Sequence, residues 1–137
     1  MIKYVESQDK TAWYTFYHEL PETGFDEKVR NRQGYVCVRD RKIIGILRYN
    51  LFWDSIPFCS LLFIREDRQR KGYGRVLTAH WEKAMKDLGF GLVMTSTQSD
   101  ENAQHFYRSL GYRDCGALAL PFPGYEQPLE IIMAKQP

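Results

Sequence analysis

Apolar residues recur along this chain with two alternating periods. Between residues 9 and 20, Trp13, Phe16, Tyr17 and Leu20 sit at spacings of three and four, the stripe of a core-facing helix, and Pro21 follows as its stop. The same period predicts a weaker helix over 25–32, with little apolar surface. A third helix is expected over 74–88, burying Leu77, Trp81, Ala84 and Leu88 and ended by Gly89. A fourth, opened by Asp100 or Glu101, runs through Leu110 with Ala103, Phe106, Tyr107 and Leu110 inward and Gly111 as its C-cap. Between the helices, runs rich in β-branched and aromatic residues predict strands over 2–5, 35–39, 43–50, 58–64, 92–97, 112–120 and 129–135. The second and third close as a hairpin across Asp40-Arg41-Lys42, and a loop over 53–57 leads to the fourth. The result is an α/β chain with about seven strands in a mixed, mainly antiparallel central sheet and four helices.

Composition narrows the classes. A length of 137 residues suits one domain spanning 1–137 with a real core. With 44% hydrophobic and 15% aromatic residues the chain is too apolar to be disordered. No basic stretch leads into an apolar one at the start, and no eighteen-residue apolar run occurs, so neither secretion nor membrane spanning is expected. Cys37, Cys59 and Cys115 are odd in number and widely spaced, which reads as reduced core or near-core thiols in a cytoplasmic protein. His18, His80 and His105 form no ligand set, so no metal is expected.

The formal charge of +2 is modest, but it is concentrated. The apolar run 58–64 and the acidic pair Glu66-Asp67 are followed by Arg68-Gln69-Arg70-Lys71-Gly72-Tyr73-Gly74-Arg75, and then by the third predicted helix. A glycine-punctuated turn between a strand and a helix aims backbone N–H groups, a helix N-terminus and fixed cations at one point, which suits a phosphate or pyrophosphate. Known fingerprints fail here. Leu77 stands where the dinucleotide motif needs its third glycine, and no Gly-Lys-Ser or Gly-Lys-Thr is present. Nucleic acid is disfavoured because no aromatics interleave with the bases along an extended surface. What survives is Gln69-x-x-Gly72-x-Gly74, followed by Asn102-Ala103-x-x-Phe106-Tyr107-x-x-x-Gly111-Tyr112.

These two segments, in this order and at this separation, resemble the paired motifs of the GNAT superfamily of acyl-CoA-dependent N-acetyltransferases. The resemblance covers essentially the whole chain and is strongest from Leu61 to Tyr112. It implies acetyl-CoA as cosubstrate, CoA as product, and direct attack by a primary amine in a ternary complex. Backbone groups of Leu62, Phe63 and Ile64 would line the pantetheine. The turn Gln69, Arg70, Lys71, Gly72, Tyr73, Gly74 and Arg75 would wrap the pyrophosphate, and Asn102 would cap or orient the cofactor-side helix. Tyr107 would protonate the leaving sulfur, where thiolate charge builds. The backbone N–H of Leu62 would polarise the thioester carbonyl.

Deprotonation of the amine is less legible. Some relatives carry a glutamate early in the central strand, where this chain has Phe58. Asp54 is the leading candidate for holding or relaying the proton, with Glu22, Asp26, Glu27 and Glu126 as others. Phe52, Trp53, Phe122 and Tyr125 are expected to wall an acceptor cleft between a hairpin tip and a late loop. A small amine is the first expectation for the acceptor. A peptide N-terminus or protein lysine is the alternative, and a non-catalytic acyl-CoA-binding module is a third. The resemblance also makes a homodimer an available assembly, although no self-complementary surface can be read.

Overall fold

The computed structural model describes residues 1–137. Seven strands form one sheet: β1 (Ile2–Tyr4), β2 (Gly34–Arg39), β3 (Lys42–Phe52), β4 (Ile56–Ile64), β5 (Val93–Gln98), β6 (Arg113–Leu118) and β7 (Glu130–Lys135). Four helices accompany them: α1 (Lys10–Phe16), α2 (Glu22–Arg30), α3 (Tyr73–Asp87) and α4 (Ala103–Ser109). The strand order is β1-β2-β3-β4-β5-β7-β6, and every neighbouring pair is antiparallel except β4 with β5. The expected mixed sheet with four helices is the one observed.

Each sheet face buries its own cluster. On one face Leu77, Trp81 and Met85 of α3 and Tyr107 of α4 pack on Leu47, Cys59 and Met133. On the other, Trp13 of α1 and Phe25 of α2 close over Val5, Val36 and Ile46. Complete burial of side chains this large contributes about 2–3 kcal/mol each, so the two faces anchor the helices more firmly than helix propensity does. Thr78 and Met85, not Leu88, complete the buried stripe of α3, and Leu88 is 64% exposed just past its last turn.

The boundaries depart from expectation where tertiary contacts override local pattern. α1 ends at Phe16 rather than Leu20, and Tyr17 is extended (φ −153°, ψ 115°). Its ring lies 4.5 Å from the Arg48 guanidinium, a cation–π contact a continued helix would forgo. α2 starts before the expected 25–32 span, at Glu22, and Phe25 is wholly buried, so that helix contributes real core. The loop expected at 53–57 is a tight hairpin turn with Trp53 and Asp54 both at positive φ, 55° and 56°. Helix α4 opens at Ala103, later than expected, because 100–102 form a turn. Strand β6 is shorter than 112–120 and exposed along its length, which puts Cys115 on an exposed edge instead of near the core.

One irregularity positions everything that follows. Cys59 pairs with Tyr49 and Leu61 with Arg48, which leaves Ser60 as the extra residue of a β-bulge. A bulge bends its strand and sharpens the local twist. β4 and β5 pair only at Phe58↔Met94 and Cys59↔Thr95. Beyond the bulge β4 stays on β3 while β5 stays on β7 through Gln98↔Glu130, and the sheet opens between them.

Candidate active site

Two cavities meet at this opening and share Leu62, Ala103 and Tyr107. The larger, about 590 Å³, runs along the end of β4 to the basic turn and is bounded by α4. Its walls bring together Leu62, Ile64, Gln69, Arg70, Gly72, Tyr73, Gly74, Arg75, Asn102 and Tyr107. Phe63 and Lys71 do not line it: Phe63 points to the opposite sheet face, its ring edge-on to Phe16 at 6.0 Å, and Lys71 is exposed on the turn.

The turn is shaped as an anion cradle. Arg70 and Gly72 are both left-handed, at φ 62° and 89°, with Lys71 between them, and Gly72 N-caps the fifteen-residue helix α3. Such a turn converges successive N–H groups on one point, in front of the positive end of the helix dipole. No acidic residue occupies the first turn of α3 to compete for those groups, and Arg75 adds charge. The Gln69 side chain ties the turn to the strand end, its Nε2 donating to the Ile64 carbonyl at 2.9 Å. Gly74 faces Phe106 at van der Waals distance, so the glycine brings α3 close to α4.

Tyr107 stands where the cavities join and is only 7% exposed. Burial, reinforced by the neighbouring Cys59, pushes its hydroxyl pKa well above the usual tyrosine range, while a contact from Thr95 pulls the other way. Tyr107 is therefore a proton donor throughout the neutral range. Burial likewise pushes the Cys59 thiol up to about 12, so it is not a nucleophile at neutral pH.

The smaller cavity, about 240 Å³, is the gap itself, walled by Ser60, Ser96, Gln98, Glu101, Tyr107 and Glu130 among others. Ser96 Oγ donates to Glu130 Oε1 at 2.8 Å, and Gln127 Nε2 donates to Glu130 Oε2 at 2.9 Å. Ser99 N–H donates to the Leu129 carbonyl at 2.8 Å, closing the ladder at its rim.

Residues 2–112 match the profile of the acetyltransferase (GNAT) family. The chain belongs to that family. It is an acetyl-CoA-dependent N-acetyltransferase. No functionally curated protein matches its sequence. Among solved structures it is similar to Ard1 from Thermoplasma volcanium, with a TM-score of 0.86, 14% identity and coverage of 99% of this chain and 96% of that one. It is also similar to the ribosomal-protein-alanine N-acetyltransferase of Brucella melitensis, with a TM-score of 0.84, 17% identity and coverage of 100% and 99%. A Bacillus anthracis protein described as a streptothricin acetyltransferase, solved with acetyl coenzyme A, aligns with a TM-score of 0.85, 16% identity and coverage of 99% and 98%. At these identities the likeness is one of fold.

The GNAT cosubstrate fits the larger cavity: a diphosphate suits the N–H cradle and its cations, and a thioester at the other end would meet Tyr107. The acceptor side of this acetyltransferase differs from expectation. Asp54 is exposed at the β3–β4 hairpin tip, at the end of the sheet away from the opening, and lines neither cavity. Glu22 pairs with Lys10 at 3.5 Å on the surface, and Asp26, Glu27 and Glu126 are exposed and also outside both cavities. The expected aromatic cleft does not form. Phe52 and Trp53 meet at the hairpin tip with their rings tilted by 39°, whereas Phe122 and Tyr125 lie in the segment joining β6 to β7, at the opposite end of the sheet. The residues missed from sequence were Ser60, Ser96, Glu101 and Glu130. The detectable signal for Glu130 was a charged residue at the first position of a strand that is apolar from Ile131 to Ala134, two residues from Ile132 and hence on the same face.

Proposed function

We propose that this enzyme acetylates a small primary amine, with both substrates bound together and the amine attacking the thioester directly. The observation that carries this reading is the junction of the two cavities at Tyr107, one lined by the N–H cradle and the other by carboxylates. Bound acetyl-CoA supplies the acetyl group as a thioester with a thiolate leaving group.

The chain's own residues do the rest. Backbone N–H groups from Gln69 to Arg75 hold the diphosphate, and Arg70 and Arg75 add charge-assisted contacts. Beyond Cys59 the β5-facing edge of β4 has no ladder partner, which frees main-chain groups among Leu62, Phe63 and Ile64 for the pantetheine amides. The Leu62 N–H donates to the thioester carbonyl oxygen. Asn102, at the start of α4, orients the same arm. Tyr107 gives its proton to the sulfur as charge builds there.

A chamber of about 240 Å³ suits a small amine head better than a bulky acceptor. The α-amine of a peptide is the second reading, favoured by the fold likeness to a ribosomal-protein-alanine N-acetyltransferase. The whole of residues 1–137 would act as a single catalytic domain, in a cytoplasmic setting supported by three unpaired thiols.

Calorimetry with acetyl-CoA and CoA, beside a thiol-release assay over polyamines, aminoglycosides, amino acids and N-terminal peptides, tests this directly. Micromolar cosubstrate binding with release driven by a small amine supports the reading. Release only with peptides selects the second one. Cosubstrate binding with no release from any acceptor, or no binding at all, overturns the enzyme proposed here.

A further inference from the structure

Two carboxylates line the acceptor chamber, and neither Glu101 nor Glu130 has a cationic partner in the folded chain. The contrast with Glu82, also half-buried, is direct: its Oε1 meets Lys135 Nζ at 2.7 Å and its Oε2 accepts from the Tyr112 hydroxyl at 2.8 Å. Glu130 instead accepts from two neutral donors, Ser96 and Gln127. These bonds fix the position of the group but supply no opposite charge. Tyr107, itself only 7% exposed, lines the same chamber. A pinned anion and a proton donor in one chamber the size of a small head group fit a cation that carries protons to lose.

We infer that Glu130 is the residue that receives the acceptor's ammonium group and takes its proton. This rests on the amine-acetylating function proposed above. Glu101, exposed at the mouth, adds to the negative field without holding the nitrogen. The ammonium donates an N–H to the Glu130 carboxylate and passes it one proton, which exposes the nitrogen lone pair. The C–N bond forms and the C–S bond breaks, with the Tyr107 proton going to sulfur. Tyr107 regains a proton from the acylated nitrogen through solvent, and Glu130 releases its own to water. One proton is released per turnover.

The test has a binding arm and a kinetic arm. Carboxyl-¹³C NMR of the protein labelled at its glutamates is recorded during titration with n-butylammonium chloride, and with tetramethylammonium chloride as a cation that has no N–H. A saturable shift of the Glu130 signal with butylammonium, at least about fivefold weaker with tetramethylammonium, is expected. In a ¹⁵N-labelled sample the Ser96 amide signal should shift alongside, and Glu130→Gln should abolish that shift. In the kinetic arm, Glu130→Gln should lower kcat/KM for the best amine about 100-fold and remove the acidic limb of its pH profile, with acetyl-CoA affinity preserved. Glu130→Asp, which keeps the charge, should restore part of the loss and guards against a folding defect in the glutamine variant. An unmoved Glu130 signal, equal binding by the Glu130→Gln protein, or an unchanged pH profile overturns the inference. If no amine is acetylated at all, the function proposed above fails, yet the NMR titration still decides whether Glu130 binds an ammonium ion.

Discussion

On the α3 side of the opening the wall is main chain held in a turn; on the far side it is side chains from four separate segments. The cradle uses residues contiguous from Gln69 to Arg75, and its geometry comes from two left-handed residues and a helix end. The smaller cavity, the chamber proposed for the acceptor, draws Ser60 from a bulge, Ser96 from β5, Glu101 from a turn and Glu130 from the far strand β7. A wall of backbone can hold the same ligand while most side chains around it vary. A wall of side chains can be re-specified one residue at a time. The fixed cosubstrate and the open choice of acceptor follow from that division of materials.

The sharpest way to break the comparison is at Tyr107, one of the three residues both halves share. Tyr107→Phe should lower kcat by about 100-fold or more, with acetyl-CoA binding by calorimetry changed no more than about threefold. A variant that still turns over at a tenth of the native rate would move proton donation elsewhere. Gly72→Val tests the backbone half alone. No atom lies within 4 Å of the added Cβ, so the damage is conformational, at φ 89°. A β-branched residue there costs about 1–2 kcal/mol, expected as a roughly tenfold rise in the acetyl-CoA Kd with kcat at saturation little changed.

Cys59, where β4 and β5 last touch, permits a smaller test by pH. Its pKa rises from 9.0 to about 12 on folding, mainly through burial. The folded state therefore keeps a proton the unfolded chain loses, and the stability this contributes is full below pH 9 and lost as pH climbs toward 12. Between pH 9.0 and 10.0 the buried tyrosines, whose ordinary pKa is 10.0, add a slope of their own that is common to both proteins. Cys59→Ser should lessen the fall in urea-unfolding free energy over that interval by about 1 kcal/mol per pH unit, with the Cys37 thiol and these tyrosines supplying the residual slope. An identical slope in both proteins would mean that Cys59 is not shielded. The smallest effect belongs to Asp54→Asn. From the hairpin tip it should alter kcat/KM by less than about twofold, and a tenfold fall would return the proton relay to that turn.

The same division explains what could be read in advance. The cradle was legible because Gln69, Gly72 and Gly74 act through local backbone geometry, and Asn102 caps the short helix that carries Tyr107. The sheet and helices were legible because their apolar periods matched what they bury. Three features were not, each for a long-range reason. The end of α1 at Phe16 depends on Arg48 waiting under Tyr17. The turn at Trp53-Asp54 lacks glycine or asparagine, so it resembled the start of a loop. Glu130 joins Ser96 only through the β5–β7 register, and no spacing along the chain encodes that meeting.

The bond from Ser99 N–H to the Leu129 carbonyl has an evolutionary consequence. A strand slipped by one residue turns every side chain to the other face, so the orientation of Glu130 depends on where pairing with β5 begins. That start is latched immediately before Glu130, downstream of the largely exposed segment 119–126. The segment is thereby a cassette: a lineage can lengthen, shorten or reword it while the chemistry held by Gln127 and Leu129 stays in phase.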